Sequence, residues 1–151
     1  MVGGLNYLTH TKPDLAYCVS IVSRYMQKPT KQHLGAARRI LRYVAGTLEF
    51  GLWYSSVKEF KLRGYSDSDW AGCVDDRKSM SGLVFDLGSG TVTWSSKKQE
   101  TIALSSSEAE YVAAGSATKQ ALWISKLLTD LGCMQTESVE LWCDNKSAIA
   151  M

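Results

Sequence analysis

The first third of the chain carries apolar residues at the spacing of a helix that buries one side. The first pattern follows Thr11, which we expect to cap a helix with Pro13 in its first turn. The apolar residues of this helix are Ala16, Val19, Val22 and Met26. We expect the helix to end before Pro29.

A second helix is predicted from Thr30 to Gly46. Its apolar face consists of Leu34, Ala37, Leu41 and Val44. Basic residues lie on or beside the opposite face: Lys31, Arg38, Arg39 and Arg42. A solvated helix surface and a phosphate-binding surface both fit this pattern.

The pattern then changes to short extended segments. GLWYS is a weak strand candidate. Phe60, Leu62 and Gly64 alternate with polar residues as far as Asp67, which is typical of a strand with one buried face. SGLVFDL and TVTWSS follow, with the turn signal Gly88-Ser89-Gly90 between them. These segments predict a three-stranded antiparallel meander.

A long helix and one more strand follow the meander. Ser105 to Glu108 form a capping signature, and the helix is predicted from about Ser107 to Leu131. VELWCD then forms a strand that ends at Asp144, and NKSAIAM resembles the opening turns of another helix. Because a helical crossover precedes it, this strand should lie beside and parallel to the Asp67 strand.

Composition limits the chemistry that is available. The 151 residues include four cysteines without CxxC spacing and two histidines, so a zinc site is not indicated. No apolar run approaches the roughly 18 residues of a membrane span, and no secretory signal opens the chain. We expect an intracellular protein with reduced cysteines and no membrane partner. A metal held by carboxylates would be Mg²⁺ or Mn²⁺.

Carboxylates from three predicted elements can meet at one place. Asp67 and Asp69 share one strand face, and Asp144 ends the last strand. Glu110 lies in line with the small-residue face of the long helix, whereas Glu108 is about 200° away from it around the axis and suits capping. If these carboxylates lay close together without a partner, they would repel one another and raise one another's pKa values. A divalent cation would offset this repulsion. Scattered surface acids remain the alternative.

The pair Asp75-Asp76 resembles the aspartate pair of a polymerase. A polymerase aspartate pair needs apolar strands on both sides, but Arg77 and Lys78 follow immediately here. We therefore predict a charged surface turn.

Several motifs together resemble a known family. YSDSDWAG, DDRKSMSG, WSSKKQETIALSSSEAEY and LWCDNKSAIA resemble, in order and spacing, the ribonuclease H domain of copia-type retrotransposon Pol polyproteins. LNYLTHTKPDLAYCVS and RRILRYVAGT resemble the segment that joins the reverse transcriptase to that domain. The resemblance implies a helical connection segment at 1–55 and a ribonuclease H-like α/β domain at 56–151.

The resemblance also assigns roles to residues. Asp67, Glu110 and Asp144 would be the catalytic metal ligands, and Asp69 would be a supporting acid. Ser106 and Ser107 would contact nucleic acid, with plain capping as the alternative. Lys97 and Lys98 would meet phosphates, or else lie in a solvated turn.

The implied activity is cleavage of the RNA strand of RNA–DNA hybrids, with two Mg²⁺ or Mn²⁺ ions per site. The partners would be the hybrid and the reverse transcriptase domain of the same polyprotein, in the cytoplasm (in a virus-like particle) or in the nucleus. The alternatives are an inactive remnant and a connection or nucleic-acid-binding module.

The family's last strand and helix, with its fourth acid, have no counterpart before Met151. We therefore expect the chain by itself to be a weak enzyme.

Overall fold

The computed structural model describes residues 1–56, 61–133 and 137–151, so the predicted strand position Phe60 lies outside the described residues. The chain divides into two compact units, Met1–Trp53 and Tyr54–Met151.

The first unit is helical. Its helices are α1 (Val2–Leu8), α2 (Ala16–Ser23) and α3 (Lys31–Gly46). The sequence pattern did not predict α1, which contains two glycines. The buried core of this unit consists of Leu5, Leu15, Val19, Val22, Ala37 and Ile40.

Three local predictions for this unit were wrong. Helix α2 ends at Ser23, so Met26, which is 53% exposed, is not part of its apolar side. Thr11 does not cap α2, because its hydroxyl donates to the carbonyl of Leu8 and a 3₁₀ turn, Pro13–Leu15, precedes the helix. On α3, Ile40 is buried whereas Leu41 is 40% exposed. One residue is a rotation of about 100° on a helix, so the side that packs is centred on Ala37 and Ile40.

The second unit is built on a four-stranded mixed sheet. Its strands are β1 (Leu62–Asp69), β2 (Met80–Leu87), β3 (Gly90–Lys98) and β4 (Glu140–Cys143). Their spatial order is β3-β2-β1-β4. The first three strands form an antiparallel meander, and β4 pairs with β1 in parallel, which confirms the predicted arrangement.

GLWYS is not a strand, contrary to the expectation. Side chains hold its end beside the β2–β3 turn instead. The Tyr54 hydroxyl donates to the carbonyl of Thr91, and the Ser55 N–H donates to the hydroxyl of Ser89. Tyr54 and Ser55 therefore lie beside the β2–β3 turn without joining the ladder of the sheet.

Helix α4 (Ser106–Asp130) packs on one face of the sheet, as predicted. Ser105 caps its start, and Gly132, with φ of +76°, follows its end. The core between α4 and the sheet contains Leu62, Phe85, Ala117, Ala121, Ile124 and Leu128. A short helix, α5 (Lys146–Ile149), follows β4 and is capped by Asn145. Among the described residues, no helix is both long and apolar enough to cross a membrane.

Candidate metal centre

The ends of β1 and β4 place two predicted ligands side by side. Ser66 pairs with Cys143 in the parallel register, so the next positions on the two strands are Asp67 and Asp144. Neighbouring strands lie about 4.8 Å apart. Both aspartates are exposed. The carboxyl end of β4 therefore brings Asp144 beside the β1 acid.

Glu110 reaches this place from the second turn of α4. It is 6% exposed. Its Oε1 accepts a hydrogen bond from the Ser68 N–H at 3.0 Å, and the Cys143 thiol lies 3.9 Å from its Oε2. The small residues that follow on the same side, Ala113 and Ala117, are buried and let the helix lie close to the sheet. Glu110 is thus fixed against the backbone of β1.

The electrostatics of Glu110 favour a cation. Burial raises the pKa of Glu110, and the charges of Asp67 and Asp144 raise it further, while hydrogen bonding from Ser68 opposes the shift. Asp67 is therefore close enough for its charge to act on Glu110. A bound cation would favour the ionised form of Glu110.

The Glu110 side chain lies close to the side chains of Cys143 and Asp144. One ligand atom of each lies within 4.8 Å of the other two, and Asp67 is not a member of this group. Two carboxylates with a third one near by suit a hard divalent cation such as Mg²⁺, which prefers oxygen ligands. The proximity of Cys143 was not predicted, although strand alternation places it on the sheet face that α4 covers.

Asp69 has a structural role in the turn after β1. Its Oδ1 accepts a hydrogen bond from the Met80 N–H at 2.6 Å. A Cβ at position 72 would collide with its carboxylate, so Gly72 is needed there. These contacts hold the end of β1 against the start of β2.

Glu108 binds the backbone just before α4, which fits its predicted role at the helix start. Its Oε2 accepts from the Leu104 N–H at 2.7 Å, and its own N–H donates to Ser105 Oγ. Ser106 and Ser107 occupy the first turn without forming the cap, and Ser106 is exposed.

The two lysines predicted to meet phosphates lie at the end of β3 rather than in a turn. Lys97 is exposed. Lys98 forms an ion pair of 2.7 Å with Asp76. The pKa of Asp76 lies below its ordinary range because it is hydrogen-bonded to Cys73 and to Lys98. Asp75 and Asp76 lie in a turn, as predicted.

Gln99 is a second residue near the site that the sequence did not indicate. It is 6% exposed, and its Nε2 donates to Ser81 Oγ and to the carbonyl of Ala109, both at 2.9 Å. It therefore ties β2 and the end of β3 to the residue that precedes Glu110. An amide after two lysines carries no pattern that predicts such a role.

Without divalent ions, stability should fall as pH rises above the ordinary glutamate pKa of 4.5. A carboxyl whose pKa is raised by folding binds more protons in the folded state, so the slope of stability against pH is negative between its unfolded and folded pKa values. Thermal unfolding with a chelator, in parallel with Glu110→Gln, measures this effect. An equal dependence on pH in both proteins would contradict it.

Three proteins illustrate what the chain is similar to in sequence. It is 43% identical over 148 residues to the retrovirus-related Pol polyprotein from transposon RE1 of Arabidopsis thaliana. It is 42% identical over 149 residues to the corresponding polyprotein from transposon TNT 1-94 of Nicotiana tabacum, and each match covers 98% of this chain. It is also 46% identical over 125 residues to secreted RxLR effector protein 161 of Plasmopara viticola, a match that covers 82% of this chain and 88% of that protein.

The chain therefore belongs to the family of copia-type retrotransposon Pol polyproteins. It spans 10% of the RE1 polyprotein and 11% of the TNT 1-94 polyprotein. No protein-family model matches the chain, and no solved structure matches it.

Proposed function

We propose that residues 56–151 form a ribonuclease H-type endonuclease that hydrolyses the RNA strand of RNA–DNA hybrids. Residues 1–55 would be the connection to the reverse transcriptase of the same polyprotein. The observation that carries the proposal is the meeting of Glu110 with Asp144 at the strand ends, beside Asp67. The mixed sheet is compatible with a ribonuclease H-like fold.

Asp67, Glu110 and Asp144 would hold the divalent ions. When bound, such ions lower the pKa of a bound water and stabilise the leaving oxygen. The protein supplies the negative charge and the positioning. Ser68 orients the Glu110 carboxylate through its N–H, and the packing of α4 on the sheet keeps that carboxylate buried. No protein nucleophile is required.

The hybrid would lie across the start of α4. The amino-terminal end of this 25-residue helix carries a partial positive charge that favours phosphate. The exposed residues Ser106 and Lys97 lie at this helix start and at the nearby end of β3. Selection of RNA would come from contacts with 2′-hydroxyls in the shallow minor groove.

The test is cleavage of end-labelled substrates by the purified chain with Mg²⁺ or Mn²⁺. We expect slow cleavage of the RNA strand of a hybrid, no cleavage of duplex DNA, and loss of activity with a chelator. Metal-independent cleavage, or equal cleavage of single-stranded RNA, would contradict the proposal.

One observation favours a second candidate, a non-catalytic nucleic-acid-binding or connection module. The Plasmopara viticola relative is a protein of which this chain covers 88%, so a related polypeptide of similar size occurs outside a full polyprotein. Binding of the hybrid without metal-dependent cleavage would support this second candidate over the first.

A further inference from the structure

Cys143 gives the carboxylate site a sulfur donor. Its Sγ lies 3.9 Å from Glu110 Oε2, and Sγ, a Glu110 oxygen and an Asp144 oxygen lie within 4.8 Å of one another. Mg²⁺ makes no use of a thiol, whereas Zn²⁺ and similar borderline ions bind thiolate and carboxylate together. We propose that Glu110, Cys143 and Asp144 form a binding site for one thiophilic divalent cation of the Zn²⁺ class.

The distances suit a tetrahedral ion. A zinc ion with Zn–S of about 2.3 Å and Zn–O of about 2.1 Å places sulfur and oxygen about 3.6 Å apart. The Cys143–Glu110 pair, at 3.9 Å, is already close to this value. All separations in the group lie within 4.8 Å, so each needs to shorten by at most about 1.4 Å to reach tetrahedral spacing. Asp144 is exposed at a strand end and has room to rotate.

A second observation points to a ligand at the same place. Ser66 is the register partner of Cys143, so its side chain lies beside Cys143 on the face that α4 covers. Ser66 is 6% exposed, and its Oγ has no hydrogen-bond partner among residues 1–56, 61–133 and 137–151. A buried hydroxyl of this kind normally has a partner. A water that completes the coordination of an ion would provide one, and structural precedent gives such sites three protein ligands plus water.

Binding would exchange a proton for the ion. The Cys143 thiol now donates to Glu110, and its sulfur must lose this proton to become a ligand, so the proton is released to solvent. The inference does not depend on hybrid cleavage. Since Glu110 and Asp144 are shared with the proposed Mg²⁺ site, a thiophilic ion would compete with Mg²⁺ there.

Co²⁺ is the probe for this site, because a thiolate ligand gives it an intense near-ultraviolet charge-transfer band. We expect the whole chain to show this band, saturating at one equivalent and bleached by Zn²⁺. Cys143→Ser should abolish the band, while Cys133→Ser, at an exposed cysteine after α4, should keep it. A wild-type protein without the band, or a Cys143→Ser protein with the full band, would overturn the proposal.

Asp144→Asn provides a second variant at an exposed position, where loss of folding is not expected. This variant should keep the band, but its affinity for Co²⁺ should be lower by about tenfold or more. Even residues that only contact a metal ligand change metal affinity by about 10- to 100-fold. Unchanged affinity would overturn the three-residue site. Both experiments measure Co²⁺ binding by spectroscopy and do not require cleavage. A protein that binds Co²⁺ in this way but cleaves no hybrid would therefore refute the proposed activity and leave this site established.

Discussion

Glu110→Gln should lower metal-dependent hybrid cleavage by at least about a hundredfold, with the fold retained. Metal ions supply several kcal/mol of transition-state charge stabilisation, and a loss of about 3 kcal/mol already corresponds to more than a hundredfold in rate. Glutamine keeps a carbonyl oxygen for the Ser68 N–H, so the position of the side chain is preserved while its charge is lost. Single-turnover cleavage of an end-labelled hybrid measures the change.

Glu108→Gln is the matched control, because it removes a charge from the same helix only two positions away. The Glu108 carboxylate accepts from the Leu104 N–H just before α4. Glutamine can still accept that hydrogen bond, so the rate should be essentially unchanged. Equal losses in both variants would show that the effect is general electrostatics and not metal ligation.

Phe85→Ala should destabilise the second unit by about 3–5 kcal/mol, the usual cost of truncating a buried phenylalanine. Phe85 is fully buried in the core between α4 and the sheet. A Cβ at position 64 would lie 2.5 Å from Phe85 Cε1, so the ring fills the space that Gly64 leaves on the neighbouring strand. Truncation therefore opens a cavity bounded by two strands and the helix.

Urea unfolding, followed by the fluorescence of the tryptophans in the second unit, measures this loss. Leu104→Ala is the control, because Leu104 is 83% exposed and surface substitutions usually change stability by less than about 0.5 kcal/mol. Similar midpoints for Phe85→Ala and the unsubstituted protein would contradict the assigned core.

The sheet and α4 were predictable because local chemistry and tertiary structure agree there. Residues 62 to 67 alternate between buried and exposed, and the turn at Gly88 dictates a hairpin. The parallel pairing of β4 followed from the helical crossover alone. This parallel pairing is what places Asp67 of β1 beside Asp144, the residue after β4.

Other features depend on tertiary contacts that leave no periodic signal. The burial of Ile40 in place of Leu41 depends on which side of α3 meets the other helices of its unit. The pairing of Lys98 with Asp76 joins residues 22 positions apart. The approach of Cys143 to Glu110 joins a strand to a helix, so neither segment alone predicts it.

Binding of Mn²⁺ tests the metal centre most directly. Electron paramagnetic resonance should detect Mn²⁺ bound to the unsubstituted chain, with affinity about tenfold or more weaker in Asp67→Asn, since ligands contribute at least as much as their indirect partners. Asp130→Asn, at the exposed end of α4, should bind as the unsubstituted chain does. Equal Mn²⁺ affinity in Asp67→Asn and the unsubstituted chain would remove Asp67 from the site and contradict the three-carboxylate centre.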